Sequence, residues 1–362
     1  MAVLASPYHG PPQLTLPRAF TEWTANPAMI ALIVVLGIAY LGGVYRLRRR
    51  GEEWKPGRVV AFCVLGLGFL AIATLGWVGV YQNILFYARA TQTVLLVLLV
   101  PLFLAMGKPM TLFIQSFPGP GETLVKIIRS KVSRIVFFPA VTSFLLIGIP
   151  MSMYFTGWYT ATFHSGAVRD LTFLILMAPG YVFFWTLLRL DPVPREYPYG
   201  VGMWITAAEV VGDAFFGLAI IADTNIIAQA HYLAAGWPFG PTLATDQVLG
   251  GGIIWILGDA VGLPFLAVQL IQMMRADKVE AAEIDAELDA REAARAERKK
   301  AREAARAARA AWREGKDYDP VAAVGDTEAG PGDADDDPER PWWLNDPRFN
   351  GGLRRESVNP GE

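Results

Sequence analysis

Apolar residues in this chain gather into runs of about 18 to 25, the length that crosses a bilayer as a helix, and polar or basic stretches separate the runs. The pattern predicts seven spanning helices, over residues 28–45, 59–80, 91–113, 135–153, 169–188, 201–221 and 249–273. It changes character at Met274. Residues 274–316 are dominated by Ala, Glu, Arg and Lys, with opposite charges three and four apart, which predicts a helix, either solvated, a docking arm for a partner, or lying with its basic second half on anionic lipid. No sustained apolar stripe runs along it, so no coiled coil is expected. Residues 317–340 are acidic and rich in Gly, Pro and Asp, a composition expected to stay disordered. Trp342 and Trp343 follow, within residues 341–349, and read as a short contact motif or a membrane touch. Residues 1–26 are polar and Pro-rich, without the basic-then-apolar order of a cleaved signal peptide. The expectation is an all-α polytopic membrane protein in four parts: an N-terminal segment over 1–26, a seven-helix domain over 27–273, a charged helix over 274–316 and an acidic tail over 317–362.

Charge gives this layout a direction. The connections after the first, third and fifth predicted helices carry six, four and two Lys or Arg, and the others almost none. Basic loops stay on the cytoplasmic side, so the N-terminus is expected outside and the C-terminus inside. Composition agrees: 53% of the residues are hydrophobic and 18% charged, against about 25% charged in soluble proteins. Inventory then excludes several chemistries. One cysteine, Cys63, rules out a disulfide framework. None of the three histidines (His9, His164, His231) lies in a predicted helix, which argues against a b-type cytochrome. No phosphate-binding Gly-rich loop and no Ser/His/Asp arrangement is evident, and no enzymatic activity is expected. A small-molecule transporter fits seven helices but lacks a clear internal repeat.

The stretch over residues 81–112 carries the densest candidate chemistry. It opens polar, with Gln82, Asn83, Arg89, Thr91, Gln92 and Thr93, and then runs apolar through Pro101 to Gly107-Lys108-Pro109. A proline there is tolerable in a membrane. Arg89, just before the predicted third helix, is either an interfacial side chain snorkelling to water or a functional group. Asp246, beside Gln247 at the start of the predicted seventh helix, reads as that helix's N-cap, with a site role as the other possibility. Met151, Met153, His164 and His231 all fall on the external side in this layout. Two thioethers and two imidazoles are a reasonable Cu(I) donor set, although lone loop histidines and a Met-x-Met at a helix end are more often solvated or packed.

Several motifs, in one order, resemble the integral-membrane CtaG-type assembly factors of bacterial cytochrome c oxidase. They include Trp54-Lys55-Pro56-Gly57-Arg58, Gln92, Pro101 with Gly107-Lys108-Pro109, Gly180-Tyr181-Val182-Phe183-Phe184-Trp185, Asp191-Pro192, Ala214-Phe215-Phe216-Gly217, Trp237-Pro238-Phe239-Gly240-Pro241 and Asp246-Gln247-Val248-Leu249-Gly250. The resemblance runs over about residues 23–290. It implies the seven-helix fold, a multi-pass place in the bacterial plasma membrane, oxidase subunits as partners and a part in copper insertion. Histidines of the third, fifth and sixth helices are the family's presumed copper ligands. The matching positions here are Arg89 and Thr93, then Arg169, Phe173 and Ile175, then Asp213. None replaces a neutral imidazole for Cu(I), so copper binding is doubtful at these positions. Either an ion-pair cluster of Arg89, Arg169 and Asp213 replaces them, or each of these residues faces water or lipid headgroups separately. The functional expectation is therefore oxidase assembly, by copper delivery or by holding a subunit. The alternative is a non-copper structural or interaction subunit of a respiratory or other membrane complex. The partners expected are the lipid bilayer and membrane subunits, and not nucleic acid.

Overall fold

The computed structural model describes residues 8, 10–195 and 197–313. The acidic tail, the Trp-Trp motif and the first seven residues lie outside the described residues. Among those described there are helices and no strand, and six helices are long and apolar enough to cross a membrane, or seven if one bent pair counts as a span. They are α1 (Pro27–Arg49), α2 (Pro56–Tyr81), α3 (Phe86–Ser116), α4 (Pro139–Phe155), α5 (Gly166–Leu188), α6 (Tyr199–Ala222) and α7 (Leu243–Arg313). The chain divides into two compact units after Ala276.

Burial places the centre of the first unit. In α3 and α5, 72% and 61% of the apolar window is buried, against 22% in α1. α5 packs along the apolar half of α3 and against α4, α2 packs on α3, and α6 packs on α4. Large apolar side chains such as Ile38, Phe144, Trp204 and Phe215 are turned outward, as expected where lipid is the solvent.

Pro101 explains how α3 and α5 come so close. It has no N–H to offer the Val97 carbonyl four residues back, and residues Leu95–Leu99 wind as π-helix just before it. Gly180 of α5 lies on that freed carbonyl: a Cβ there would stand 2.0 Å from the Val97 oxygen and 3.0 Å from the Pro101 ring. Neither backbone can yield that distance. Gly180→Ala is expected to cost on the order of 3 kcal/mol by forcing the helices apart, read as a lower melting temperature in detergent, and an unchanged melt would refute this account of the crossing. Gly217 and Gly251 allow an equally close contact of α6 with α7, since a Cβ on either would fall within 2.7 Å of the other's carbonyl oxygen.

Several loops expected from hydropathy are structured. The predicted 154–168 connection contains a helix, Gly157–His164, bent 74° from α4, because Thr156 breaks α4 and accepts the Trp158 N–H to start the next helix. Helix Pro118–Ile128 lies within the third connection and Gln229–Ala235 within the sixth. The predicted spans at 135 and 249 begin instead at Pro139 and Leu243. Hydropathy misses these because short amphipathic helices are stabilised by packing and not by length.

Candidate functional site

Among the described residues Arg89 is the largest fully buried side chain, 1% exposed. It does not sit at the interface before the third helix. It lies within the first turn and a half of α3, and its guanidinium points into the protein. One terminal nitrogen donates to Gln82 Oε1 at 2.7 Å and to Gln92 Oε1 at 2.9 Å; the other donates to Thr162 Oγ1 at 3.0 Å. The rings of Tyr159 and Phe173 each lie 5.8 Å from its central carbon. Arg89 thus joins the end of α2, α3, helix Gly157–His164 and α5 in one point of contact.

Each acceptor is itself fixed. The Gln92 amide donates to the Ala73 carbonyl at 2.7 Å and that of Gln82 to the Gly79 carbonyl at 2.9 Å. Thr162 donates to the Tyr159 carbonyl at 2.7 Å. These bonds orient both amides with oxygen toward Arg89, so the acceptors are arranged for a cation before it arrives. Thr93 closes the lower side, bonding to the Arg89 carbonyl and to the Tyr154 hydroxyl, both at 3.0 Å. Tyr154, Tyr159, Tyr232 and Phe86 form an aromatic wall above, with the Tyr159 and Tyr232 hydroxyls 2.7 Å apart. A cleft of about 200 Å³ on the outer side of this wall is lined by Tyr154, Tyr159 and Asp223 among others, but not by Arg89. The guanidinium is shut off from anything that enters that cleft.

The expected ion-pair cluster is not formed. Arg169 pairs with its neighbour Asp170 at 3.3 Å, and Asp170 also accepts from Asn26 at 2.7 Å. Among the described residues no carboxylate lies within ion-pair distance of Arg89. Asp213 is buried in α6 beside a second acid, Glu209, with Asp259 of α7 as an electrostatic neighbour. Glu209 Oε1, Asp213 Oδ2 and Asp259 Oδ1 all lack a hydrogen-bond partner. Spacing four apart puts both α6 acids on one helix face, which is why they meet each other and not an arginine. Asp213→Asn supplies a donor among acceptors and removes a like charge, so it is expected to raise stability by about 1 kcal/mol, and a lower melting temperature would contradict it.

Asp246 and Gln247 also work differently from a local cap. Asp246 lies in the first turn of α7 and Gln247 follows it. The Asp246 carboxylate accepts the Phe86 N–H at 2.8 Å and the Tyr87 N–H at 2.9 Å, so it caps α3 from another helix. Gln247 accepts the Ile227 N–H at 2.8 Å and donates to carbonyls of Ile220, Asp223 and Asn225, which fastens the α6–α7 connection. Asp191 repeats the Asp246 device. Lys108 takes a left-handed conformation (φ 53°) before Pro109 and interrupts α3, and Asp191 accepts from the amides of Met110 and Thr111 and from the Thr111 hydroxyl where the helix restarts. Burial pushes the Asp191 carboxyl above its ordinary range, and the bonds from Thr111 and Met110 act in the opposite direction.

The residues do not fit a copper ion at the positions matching the family's histidines. Arg89 carries the positive charge itself, Phe173 is buried against it, Ile175 is apolar and half-buried, and Thr93 is committed to Tyr154. Among the described residues no group of three or more His, Cys, Asp or Glu is arranged to hold a metal. The other donor set occupies four environments. Met153 is fully buried, Met151 half-buried, His164 exposed, and the His231 ring stacks on Phe163 with Nε2 2.9 Å from the Asn83 carbonyl. Met151 and Met153, two apart in α4, face different sides. Thr162, Tyr154, Tyr159 and Glu209 were not legible as site residues, and Gln82 was legible only as part of the polar opening of the 81–112 stretch. Only the three-residue spacing of Arg89 and Gln92 hinted at a shared face.

The sequence profile described as cytochrome c oxidase caa3 assembly factor (Caa3_CtaG) matches residues 38–276. An uncharacterized protein of Mycobacterium leprae is 28% identical over 291 residues, covering 78% of this chain and 44% of that protein. Uncharacterized proteins of Mycobacterium bovis and Mycobacterium tuberculosis are 28% identical over 293 residues, with the same coverage. The chain spans less than half the length of these curated relatives. No solved structure matches it.

Proposed function

This chain belongs to the cytochrome c oxidase caa3 assembly factor family, and from that premise we propose that it aids oxidase assembly by holding an oxidase subunit in the membrane, not by carrying copper to it. The observation that supports this reading is the core itself. A sealed guanidinium, held by two glutamines and a threonine, stands where a metal-handling member would need neutral imidazoles. A fixed cation at that point repels a second one. The same arrangement locks four helical segments together, which suits a rigid platform for another subunit's helices. Such a role needs no catalysis by this chain.

The test pairs two measurements on detergent-purified protein. Copper is measured after Cu(I) loading, beside a Met151→Ala/His164→Ala/His231→Ala variant, and oxidase subunits are sought among co-purifying proteins. The expected result is no copper above a blank, with an oxidase subunit retained. Stoichiometric copper that disappears in the triple variant would overturn the reading in favour of metal delivery through the methionine and histidine set.

A further inference from the structure

The buried acids between α6 and α7 take no part in the proposed subunit-holding role. Gly202, Thr206, Glu209, Asp213 and Gly217 follow one another in α6 at steps of four, three, four and four, so they share one face, and all five are buried. That face lies on α7. A Cβ on Gly258 would stand 2.6 Å from Asp213 Oδ2, one on Gly262 3.6 Å from Glu209 Oε2, and one on Gly202 3.4 Å from Gln269 Oε1. Where this seam carries neutral polar groups they are paired, and Gln269 donates to Thr206 Oγ1 at 2.7 Å. The acids differ. Glu209 is 2% exposed and Asp213 9%, yet Glu209 Oε1, Asp213 Oδ2 and, from α7, Asp259 Oδ1 have no hydrogen-bond partner. At 1.5 Å per residue Glu209 lies about 15 Å from the start of α6 and Asp213 about 14 Å from its end. That is mid-depth in a hydrocarbon layer about 30 Å thick.

We propose that Glu209 binds a proton at this depth and donates it to the Asp213 carboxylate, so that the α6–α7 seam is an intramembrane proton-binding site. The two side chains stand within hydrogen-bonding reach of each other. Two ionised carboxylates have no hydrogen to share, and one proton turns the contact into a charge-assisted O–H···O bond. No basic side chain of the surrounding helices does the same. α4, α6 and residues 243–273 of α7 contain no Lys, Arg or His, and Arg169, near the start of α5, is taken by Asp170. The titratable groups that face Glu209 are Asp213 on its own helix and Asp259 from α7. α4 brings only Tyr154, which bonds to Thr93. An unpaired carboxylate in such surroundings is strongly unfavourable and takes up a proton instead. A metal ion suits the seam less well, because among the described residues no three acids are arranged to hold one. The proton comes from water as Glu209 gains its O–H bond and returns to water when that bond breaks. Three like charges then face one another across Gly258 and Gly262. The bound proton is thus what lets α6 and α7 pack closely here. This site is separate from Arg89 and does not rest on the subunit-holding role.

The test is infrared spectroscopy of the full chain in phosphatidylcholine nanodiscs, where a carboxylic acid shows a C=O stretch that a carboxylate lacks. At about pH 7 a solvated glutamate, with an ordinary pKa of about 4.3, is ionised. Glu209 is the only buried glutamate among the described residues. The parent is expected to show an acid band at neutral pH that shifts when glutamate carboxyls are isotope-labelled and that is lost in alkali. Glu209→Gln keeps the shape of the side chain and should abolish this band. In Asp213→Asn the amide donates to Glu209 and the neighbouring charge is gone, so the band should be smaller at the same pH. Exchange of choline for sodium at equal concentration should leave the parent band unchanged. No glutamate acid band in the parent at neutral pH would overturn the proposal, and this reading needs no variant to fold. A band that survives in Glu209→Gln would do the same. An unchanged band in Asp213→Asn would refute the pairing with Asp213, and loss of the parent band with sodium would place a metal cation in the site and equally refute the proposal.

Discussion

Arg89→Ala is expected to lower the melting temperature of the detergent-purified protein by roughly 10 °C. The substitution strips donors from Gln82, Gln92 and Thr162, all buried. A buried acceptor left unsatisfied costs about 1–3 kcal/mol, and truncating a fully buried long side chain adds a cavity penalty of about 2–5 kcal/mol. Release of the buried charge works the other way, since an ionised group in a low-dielectric core is unfavourable. The first two effects win because the amide oxygens cannot turn to water: their own N–H groups are tied to the Ala73 and Gly79 carbonyls. A net loss of about 4 kcal/mol corresponds to the stated shift at roughly 2–4 °C per kcal/mol. Arg89→Lys keeps the charge but not the fork that spans three acceptors, and should lose about half as much. If Arg89→Ala melts like the parent, Arg89 is not the fastening of the core. Restoration of copper binding by Arg89→Ala alone would count against the subunit-holding role.

Asp246→Ala should be nearly as damaging, by about 3 kcal/mol, with an effect seen on a different helix from the one mutated. Two charge-assisted bonds to the Phe86 and Tyr87 amides are lost. Each such bond contributes about 1.5–3 kcal/mol, and a carboxylate at a helix N-terminus adds about 0.3–1 kcal/mol. Asp246→Asn keeps one acceptor oxygen and should cost about half. Amide exchange identifies the helix concerned. Protection should fall at Phe86 and Tyr87 and the residues that follow in α3, while the start of α7 is little changed. Loss confined to residues 243–248 would mean that Asp246 caps its own helix, and this account of α3 would be wrong.

These two residues also mark the boundary between local and long-range information. Asp246 at a helix start is legible in sequence, and a cap was the natural reading. Which helix it caps depends on α7 and α3 lying side by side, a fact about residues 159 and 160 positions apart. Arg89 is the sharper case. Hydropathy placed it at the edge of a span because it sums residues along the chain and cannot see a neighbour. Gln82 and Thr162 lie 7 and 73 positions away, and together with Gln92 they turn an interfacial position into a buried one. The acids of α6 show the reverse error. An arginine and an aspartate matched in sign but not in place, and Asp213 meets Glu209, which was four residues away on its own helix.

By itself the sequence determined the class of this protein. Runs of apolar residues long enough for a bilayer, with a charged stretch after them, leave only a helical membrane fold, because lipid offers no partner to an unpaired backbone group. The ordered motifs, Pro101 and Gly180 among them, were enough to indicate the family. The tertiary structure alone decided where the charges go. In a low-dielectric interior a charged side chain needs specific partners within about 3 Å, and those partners come from segments far apart in the chain. Pairing across Gln82, Gln92 and Thr162 at Arg89, the capping of α3 by Asp246, and the approach of Asp259 to the two acids of α6 therefore follow from packing and not from any local pattern.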